Sequence, residues 1–166
     1  MMRYKIALSY DGTDYHGWQV QDNARSVQGD IMICLKKLLN QEFDLVGCGR
    51  TDTGVHAKNF VAHLECEQEI EVDFLKYKLN VMLEDDIVID SVEKVADDFH
   101  ARFSAKSRAY RYYIHQEKDP FKVKYSLYFK KDLNLDKMNE ACAFLMGRQD
   151  FTSFSKSKTQ TKTNFA

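Results

Sequence analysis

Two hydrophobic periods follow one another along the first 95 residues, and their order constrains the fold more than any other feature of the chain. Short apolar runs, alternating with polar residues at residues 4–10 and 60–66, predict strands there and at residues 42–48 and 87–95. Apolar residues at helical spacing predict helices at residues 26–40 and 73–83. The resulting order, β-α-β-β-α-β, is the split arrangement of a ferredoxin-like domain, so the sequence predicts an α/β (α+β) fold.

The pattern then begins again and stops. Beyond Asp98 the sequence predicts an alternating strand at residues 110–114 and a helix at residues 135–146. In the first part of the chain, Ser26 and Asp73 are the predicted N-caps of the two helices. We therefore expect a first domain at residues 1–98 and an incomplete second α/β domain at residues 99–166, with apolar faces that lack partners. This C-terminal third is expected to be poorly packed or to lean on the first domain. Residues 153–166, rich in Ser, Thr and Lys, are typical of a disordered tail.

Composition excludes several classes of protein. With 44% hydrophobic residues the chain can form a core, and no apolar run approaches the roughly 18 residues that a membrane span needs. No signal peptide is recognisable, so the sequence predicts a cytoplasmic protein without a membrane partner. The four cysteines form no CxxC pair, which indicates neither a zinc site nor a disulfide framework.

Charge is distributed unevenly although the formal net charge is only -1. Residues 65–98 contain twelve acidic and three basic residues, whereas residues 99–118 contain five basic residues and one acidic residue. A focused basic strip can bind RNA even when the whole molecule is nearly neutral.

A glycine-rich segment, GCGRTDTGVHA at residues 47–57, holds the candidate chemistry. Its glycines indicate a tight turn or a close approach by another molecule. If the backbone is extended, Arg50 and Asp52 project from the same face, and a neighbouring guanidinium keeps an aspartate ionised. An ionised carboxylate can act as a nucleophile or a base, while the alternative is a hairpin loop with a surface ion pair.

A second candidate loop lies between the first strand and the first helix. Residues 13–25 contain Tyr15, His16, Trp18, Gln19 and Gln21, which can stack on a nucleotide or hydrogen-bond to it. The alternative for Trp18 is that it packs as a lid over the core.

Five motifs together resemble the TruA family of tRNA pseudouridine synthases. They are YDGTDYHGWQ, SVQG, GRTDTGVHA, FHARFSAKSRAYRY and DFTSF, and the resemblance runs from about Tyr4 to the last residue. It implies the pseudouridine synthase fold, of which this chain is the N-terminal portion because members of the family continue well beyond residue 166. In that family the C-terminal segment is a loop that enters a further strand.

The resemblance also implies an activity and roles for particular residues. The family isomerises uridine to pseudouridine at positions 38 to 40 of the tRNA anticodon stem-loop, as a homodimer and without a cofactor or metal. Asp52 occupies the position of the catalytic carboxylate, which attacks C1′ or removes a proton from C2′, and Arg50 positions it. Tyr110 occupies the position of the tyrosine that lies against the target base. Independently of the resemblance, the basic residues His100, Arg102 and Lys106 are candidates for phosphate contacts, and the alternative for each is a solvated surface charge. Arg108, beside Tyr110, is a further candidate for substrate binding.

The resemblance leaves open how active this chain is alone, and two other functions are alternatives. The fragment alone is expected to turn over tRNA very poorly, because the family brings a further basic residue from a third motif that is absent here. A non-catalytic ferredoxin-like RNA-binding module is the main alternative, although the chain lacks the aromatic signature of such modules. A metal-dependent hydrolase lacks a ligand set, since His63-Leu64-Glu65 has no PCxxC partner.

Overall fold

The computed structural model describes residues 1–155 and 163–165 and divides the chain into two compact units, Met1–Tyr110 and Arg111–Ala166. The first unit contains four strands and two helices in the predicted order: β1 (Met2–Tyr10), α1 (Val27–Leu38), β2 (Phe43–Gly47), β3 (Ala57–Cys66), α2 (Val72–Met82) and β4 (Ile87–Val95). The six predicted elements are confirmed, and their ends differ by a few residues at most. The domain boundary proposed at residue 98 stays a prediction. The first compact unit of the structure extends to Tyr110.

The strands of the first unit form one antiparallel sheet in the order β2-β3-β1-β4. Strand β1 lies in the middle, pairing with β3 from Met2–Cys66 to Tyr10–Ala57 and with β4 on its other side. Strand β2 pairs with β3 at the edge. The first unit is therefore a mixed α/β domain in which the connection between β2 and β3 lies at one end of the sheet.

One face of this sheet carries the hydrophobic core. The inward residues of the central strand are Tyr4, Ile6, Leu8 and Tyr10, each at most 4% exposed. Helix α1 contributes buried residues such as Ile31 and Leu35, and α2 contributes Leu75 and Leu79. These are the apolar positions that the two periods predicted, because side chains alternate across a strand and recur every three or four residues along a helix.

The helix caps match the sequence at one end and correct it at another. Ser26 caps α1 as predicted, with its hydroxyl accepting from the Gly29 N–H at 3.2 Å. The prediction of Asp73 as the cap of α2 is wrong, because the helix begins at Val72 and the Glu71 carboxylate accepts from the N–H groups of Asp73 and Phe74. The longer Glu side chain performs the capping that Asp usually performs.

The second unit contains less regular structure than the first. It comprises β5 (Ile114–His115), β6 (Leu127–Tyr128), which pairs with β5 in parallel, and α3 (Leu135–Ala143), followed by a 3-10 turn at Thr152–Phe154. The prediction of a strand from Tyr110 to Ile114 is wrong for residues 110–113, which lie outside any strand, although the Tyr113 carbonyl accepts from the Leu127 N–H of β6 at 2.8 Å. The third helix is confirmed but ends at Ala143, three residues earlier than predicted, with Phe144 as its C-cap.

Packing in the second unit is sparse. Within its described residues only His115 is buried, at 9% exposure, and helix α3 buries none of its side chains. The predicted disordered tail lies largely outside the described residues. Among the helices that the structure describes, none has the length and apolar character needed to cross a membrane.

Candidate active site

Two loops from distant parts of the sequence meet at one end of the sheet. The motif loop, residues 48–56, joins β2 to β3, and the first loop, residues 11–25, joins β1 to α1. The Trp18 N–H donates to the Thr51 carbonyl and the Gly54 N–H donates to the Tyr15 carbonyl, each at 3.2 Å. The Gly12 N–H donates to Nδ1 of His56, also at 3.2 Å. The first loop therefore holds the motif loop at three points along its length.

Two glycines of the first loop allow this close contact. At Gly17, where φ is +90°, a Cβ atom would overlap the Thr51 carbonyl oxygen, and at Gly12 it would overlap the Val55 carbonyl oxygen. Both clashes are with backbone atoms, which cannot rotate aside as a side chain can. Backbone contact was expected at the glycines of the motif loop and not at these two, although the DG and HG pairs of YDGTDYHGWQ carry the signal.

The glycines of the motif itself have three different environments. Gly47 lies against Trp18, whose ring would be 2.6 Å from an added Cβ, and Gly49 lies beside the guanidinium of Arg108. Gly54, with φ +76°, is the third residue of a turn closed by the Val55 N–H and the Asp52 carbonyl at 3.2 Å. A type II turn requires a positive φ at that position, so Gly54 fixes where the backbone reverses after Asp52.

Aromatic packing supports the motif loop from beneath. Trp18 is 3% exposed and lies 4.3 Å from the ring of Phe60, so the alternative in which it packs as a lid is correct and its ring is not a free platform for a base. The hydroxyl of Tyr10 forms a hydrogen bond with the Thr51 hydroxyl at 2.9 Å. Burial raises the pKa of Tyr10 to about 12, so this phenol stays neutral at physiological pH and holds Thr51, the residue between Arg50 and Asp52.

Arg50 and Asp52 line the same cavity. It has a volume of about 590 Å³ and is bordered by residues of both loops: His16, Gln19, Val20, Gln21, Arg50, Thr51, Asp52 and Thr53. Both charged side chains are exposed. The ion pairs of the described residues do not include one between Arg50 and Asp52, so the expected guanidinium contact with this carboxylate is absent from the described geometry.

The cavity lining combines a cation, a carboxylate and uncharged hydrogen-bonding groups. Its volume falls within the range of about 300 to 1,000 Å³ that is usual for small-ligand sites. Gln19 and Gln21 each carry a donor and an acceptor, and His16 can hydrogen-bond or stack. These three residues were among the candidate nucleotide contacts in the sequence, and the structure brings them together with Asp52.

The segment from Phe99 to Tyr110, here the arginine segment, is fastened to the sheet by histidines. The Ala101 N–H donates to Nδ1 of His63, a buried residue of β3, at 3.2 Å. The ring of His100 lies 4.7 Å from that of His63, and its own Nδ1 accepts from the Arg102 N–H at 3.2 Å. Burial lowers the pKa of His63, and the neighbouring His100 and Arg3 lower it further. The lowered pKa favours the neutral ring, whose unprotonated Nδ1 can accept the hydrogen bond from Ala101.

Arg108 links the arginine segment to the motif loop. Its Nη2 donates to the Cys48 carbonyl at 2.6 Å and to the Arg102 carbonyl at 3.1 Å. This guanidinium, predicted as a substrate contact, therefore also ties the start of the motif loop to a neighbouring backbone. Charge-assisted hydrogen bonds of this kind are stronger than neutral ones.

The remaining predicted residues are exposed or half-buried outside the cavity. Tyr110 is 73% exposed and does not lie in a strand. Arg102 is exposed, with its guanidinium 5.6 Å from the Phe103 ring, and His100 is half-buried. Among the described residues, the cavity lining includes none of these three.

Comparison with known proteins defines the class to which this fold and site belong. Residues 6–104 match the family model described as tRNA pseudouridine synthase, a match that covers more than half of the chain and includes both loops. The chain belongs to the tRNA pseudouridine synthase family.

Individual relatives agree with that assignment. Proteins named tRNA pseudouridine synthase A from Bacteroides fragilis, Porphyromonas gingivalis and Bacteroides thetaiotaomicron are 47%, 46% and 45% identical to this chain, and each alignment covers 99% of it. The alignments cover 66%, 66% and 61% of those relatives, respectively. The chain therefore spans slightly less than two thirds of their length.

Proposed function

We propose that this chain is the part of a tRNA pseudouridine synthase that carries its catalytic carboxylate, Asp52. The whole enzyme would isomerise uridine to pseudouridine at positions 38 to 40 of the anticodon stem-loop. The observation that carries the proposal is that Asp52 and Arg50 line one cavity of about 590 Å³, on a loop held in place by a second loop. The names of the relatives add tRNA as the substrate class.

The reaction requires an anionic group beside the ribose. It breaks the bond between N1 and C1′ of uridine and forms a bond between C5 and C1′, while C5 loses a proton and N1 gains one. The carboxylate of Asp52 either attacks C1′ or removes the C2′ proton. A carboxylate at an anomeric carbon stabilises an oxocarbenium-like centre, as it does in glycoside hydrolysis. Because the net change is an isomerisation, the reaction itself consumes no cofactor.

The proposed roles of the other residues follow from charge and position. Arg50 positions Asp52 and the flipped nucleotide, since a base must leave its stack before its sugar can react. Tyr110, His100 and Arg102 are proposed contacts to the target RNA, and their exposure leaves them accessible to it. Arg108 is proposed to contact RNA as well as to hold the Cys48 carbonyl.

The finer assignment of the fold, the cellular location and the assembly are also proposals. The strand order β2-β3-β1-β4, with one helix after β1 and one after β3, supports a ferredoxin-like arrangement for the first unit. A tRNA substrate supports a cytoplasmic protein. We propose that the full-length form is a homodimer, as the resemblance to the family implies.

The test is formation of pseudouridine, detected by mass spectrometry after cyanoethylation of tRNA. The chain fused to the remaining C-terminal part of the Bacteroides fragilis relative should modify the anticodon stem-loop, while the chain alone should do so very poorly. Asp52→Asn in the fusion should abolish the reaction and leave RNA affinity unchanged, because the amide is nearly isosteric with the carboxylate but is neither a base nor a nucleophile. Asp44→Asn, a change at an exposed position of β2, is the matched control and should remain active.

Release of tritium from C5-labelled uridine by the Asp52→Asn fusion would reject the role of that residue. A fusion that binds the hairpin tightly but forms no pseudouridine would favour the alternative of a non-catalytic RNA-binding module.

A further inference from the structure

The second unit exposes a stretch that combines lysines with aromatic rings. Residues 116–131, here the lysine segment, contain five lysines, four aromatic residues and two acidic residues. The second unit as a whole has eleven basic and six acidic residues, whereas the first unit has thirteen basic and nineteen acidic. Positive charge is therefore concentrated in the unit that does not carry Asp52.

Hydrogen bonds within the lysine segment fix its backbone. The Ser126 N–H donates to the Lys122 carbonyl at 2.9 Å, and the Lys122 N–H donates to the Asp119 carbonyl at 3.2 Å. The Gln116 side chain donates to the Lys131 carbonyl at 3.0 Å, which joins the two ends of the segment. These bonds give the segment a defined shape even though none of its side chains is fully buried.

The side chains that this backbone presents are open to solvent. Phe121 is 91% exposed and Tyr125 is 55% exposed. The lysines at positions 118, 122 and 124 are exposed as well, and the Lys124 ammonium lies 5.6 Å from the centre of the Tyr125 ring. An exposed ring beside several ammonium groups is the combination with which proteins bind single-stranded or looped RNA.

We propose that the lysine segment is an RNA-binding surface, a point of contact with tRNA additional to the cavity at Asp52. The inference rests on the proposed function for its choice of nucleic acid. Lysines neutralise phosphates and release counterions, which supplies affinity without reading sequence. Phe121 offers a face on which an unpaired base can stack. The charge of the segment is complementary to RNA, and this complementarity favours RNA over an apolar protein surface.

The experiment measures binding of a fluorescently labelled anticodon stem-loop hairpin to the chain by anisotropy, between about 50 and 200 mM salt. Lys118→Gln combined with Lys124→Gln should weaken binding and reduce the slope of log affinity against log salt by about 1.5, since each phosphate contact contributes about 0.7 to 0.9. The control pair, Lys36→Gln with Lys37→Gln on the exposed side of α1, removes the same charge and should leave the slope unchanged.

Two substitutions of aromatic residues distinguish a contribution of stacking from a contribution of charge. Phe121→Ala should weaken hairpin binding about five-fold or more, the usual effect of losing one base–aromatic stack. Phe144→Ala removes a ring that is 81% exposed elsewhere in the same unit and should have no effect.

The outcomes distinguish this surface from the proposed function. If the lysine-segment variants bind as tightly and with the same salt slope as the parent, the surface is rejected, whatever the enzymatic activity of the fusion. Hairpin binding that depends on the lysine segment, in a protein whose fusion forms no pseudouridine, would retain the surface and reject the isomerase assignment. Binding of the chain to phosphatidylserine vesicles but not to the hairpin would overturn the proposal in favour of a membrane.

Discussion

Replacing Gly17 with alanine tests whether contact between the two loops holds the site together. A methyl group at this position would overlap the Thr51 carbonyl oxygen, and the residue would have to keep a φ of +90°. The left-handed region costs an L-residue about 1–2 kcal/mol. Moving the carbonyl also breaks its 3.2 Å hydrogen bond with the Trp18 N–H, which costs about 0.5–1.5 kcal/mol more.

The alanine chain also has less freedom when unfolded, which offsets about 0.4–1 kcal/mol. We therefore expect Gly17→Ala to destabilise the first unit by about 2 kcal/mol. Gly54→Ala is the matched control: its φ is +76°, but nothing lies within 4 Å of the added methyl group. The Gly54→Ala variant has the backbone strain but not the steric overlap, so its free energy of unfolding should fall by about 1 kcal/mol or less.

Thermal unfolding followed by Trp18 fluorescence measures both variants, because Trp18 is the single tryptophan and lies at the joint between the loops. For a unit of this size, 1 kcal/mol corresponds to about 4 °C in Tm. Gly17→Ala should therefore lower Tm by about 8 °C and Gly54→Ala by about 4 °C or less. Gly147→Ala, at φ +83° in the second unit, should leave the Trp18 transition unchanged.

Equal losses for Gly17→Ala and Gly54→Ala would refute the reasoning, because backbone strain alone would then account for both. A normal Tm for Gly17→Ala would mean that the two loops separate without cost.

Three further predictions concern the supports of the site. Because the pKa of His63 is lowered in the folded protein, its contribution to the free energy of unfolding should be fully present above the unfolded pKa of 6.5 and decrease as the pH drops below that value. His63→Gln should flatten this pH dependence, as measured by urea unfolding. Arg108→Gln should lower kcat of the fusion several-fold through loss of the bond to Cys48, and Arg108→Lys should restore part of it. Glu71→Ala should cost about 1 kcal/mol by loss of the α2 cap, as measured by thermal circular dichroism, and Asp73→Ala should cost less.

Each of these has an outcome that would contradict it. An unchanged pH profile in His63→Gln would show that protonation of this ring does not oppose folding. If Arg108→Gln changes only the salt dependence of RNA binding, the residue is a phosphate contact and not a positioning residue. Equal destabilisation by the Glu71 and Asp73 changes would mean that the cap bond contributes nothing of its own.

Local pattern was sufficient to predict the four strands and two helices of the first unit. Alternation in β1 and helical spacing in α1 each reflect burial of one face, and Ser26 has the chemistry of an N-cap. The strand predicted from Tyr110 failed because alternation reports a possible buried face but not the presence of a partner strand. Asp73 failed as a cap because it lies inside the first turn, whereas Glu71 immediately precedes the first helical residue and its side chain reaches the free N–H groups.

The sequence singled out Arg50 and Asp52 but not the contacts that support their loop, and Tyr110, His100 and Arg102 lie outside the cavity lining. Arg50 and Asp52 stood out because two charges lie between glycines, and both line the cavity. The need for Gly17 arises from a carbonyl 34 positions away in the chain, which no local pattern contains. The spacing of two residues alone predicted a contact between Arg50 and Asp52, which the described ion pairs do not include. The turn at Gly54 changes the backbone direction directly after the aspartate.

The joint between the first loop and the motif loop has a consequence for the order of folding. Gly12 and His56 are brought together by the pairing of β1 with β3, and that pairing closes a chain of more than forty residues. A nascent chain that has formed only its first strand and helix thus has no site, however complete those elements are. The cavity therefore forms together with the central strand pair, so a ligand of the cavity would also report that the sheet has assembled.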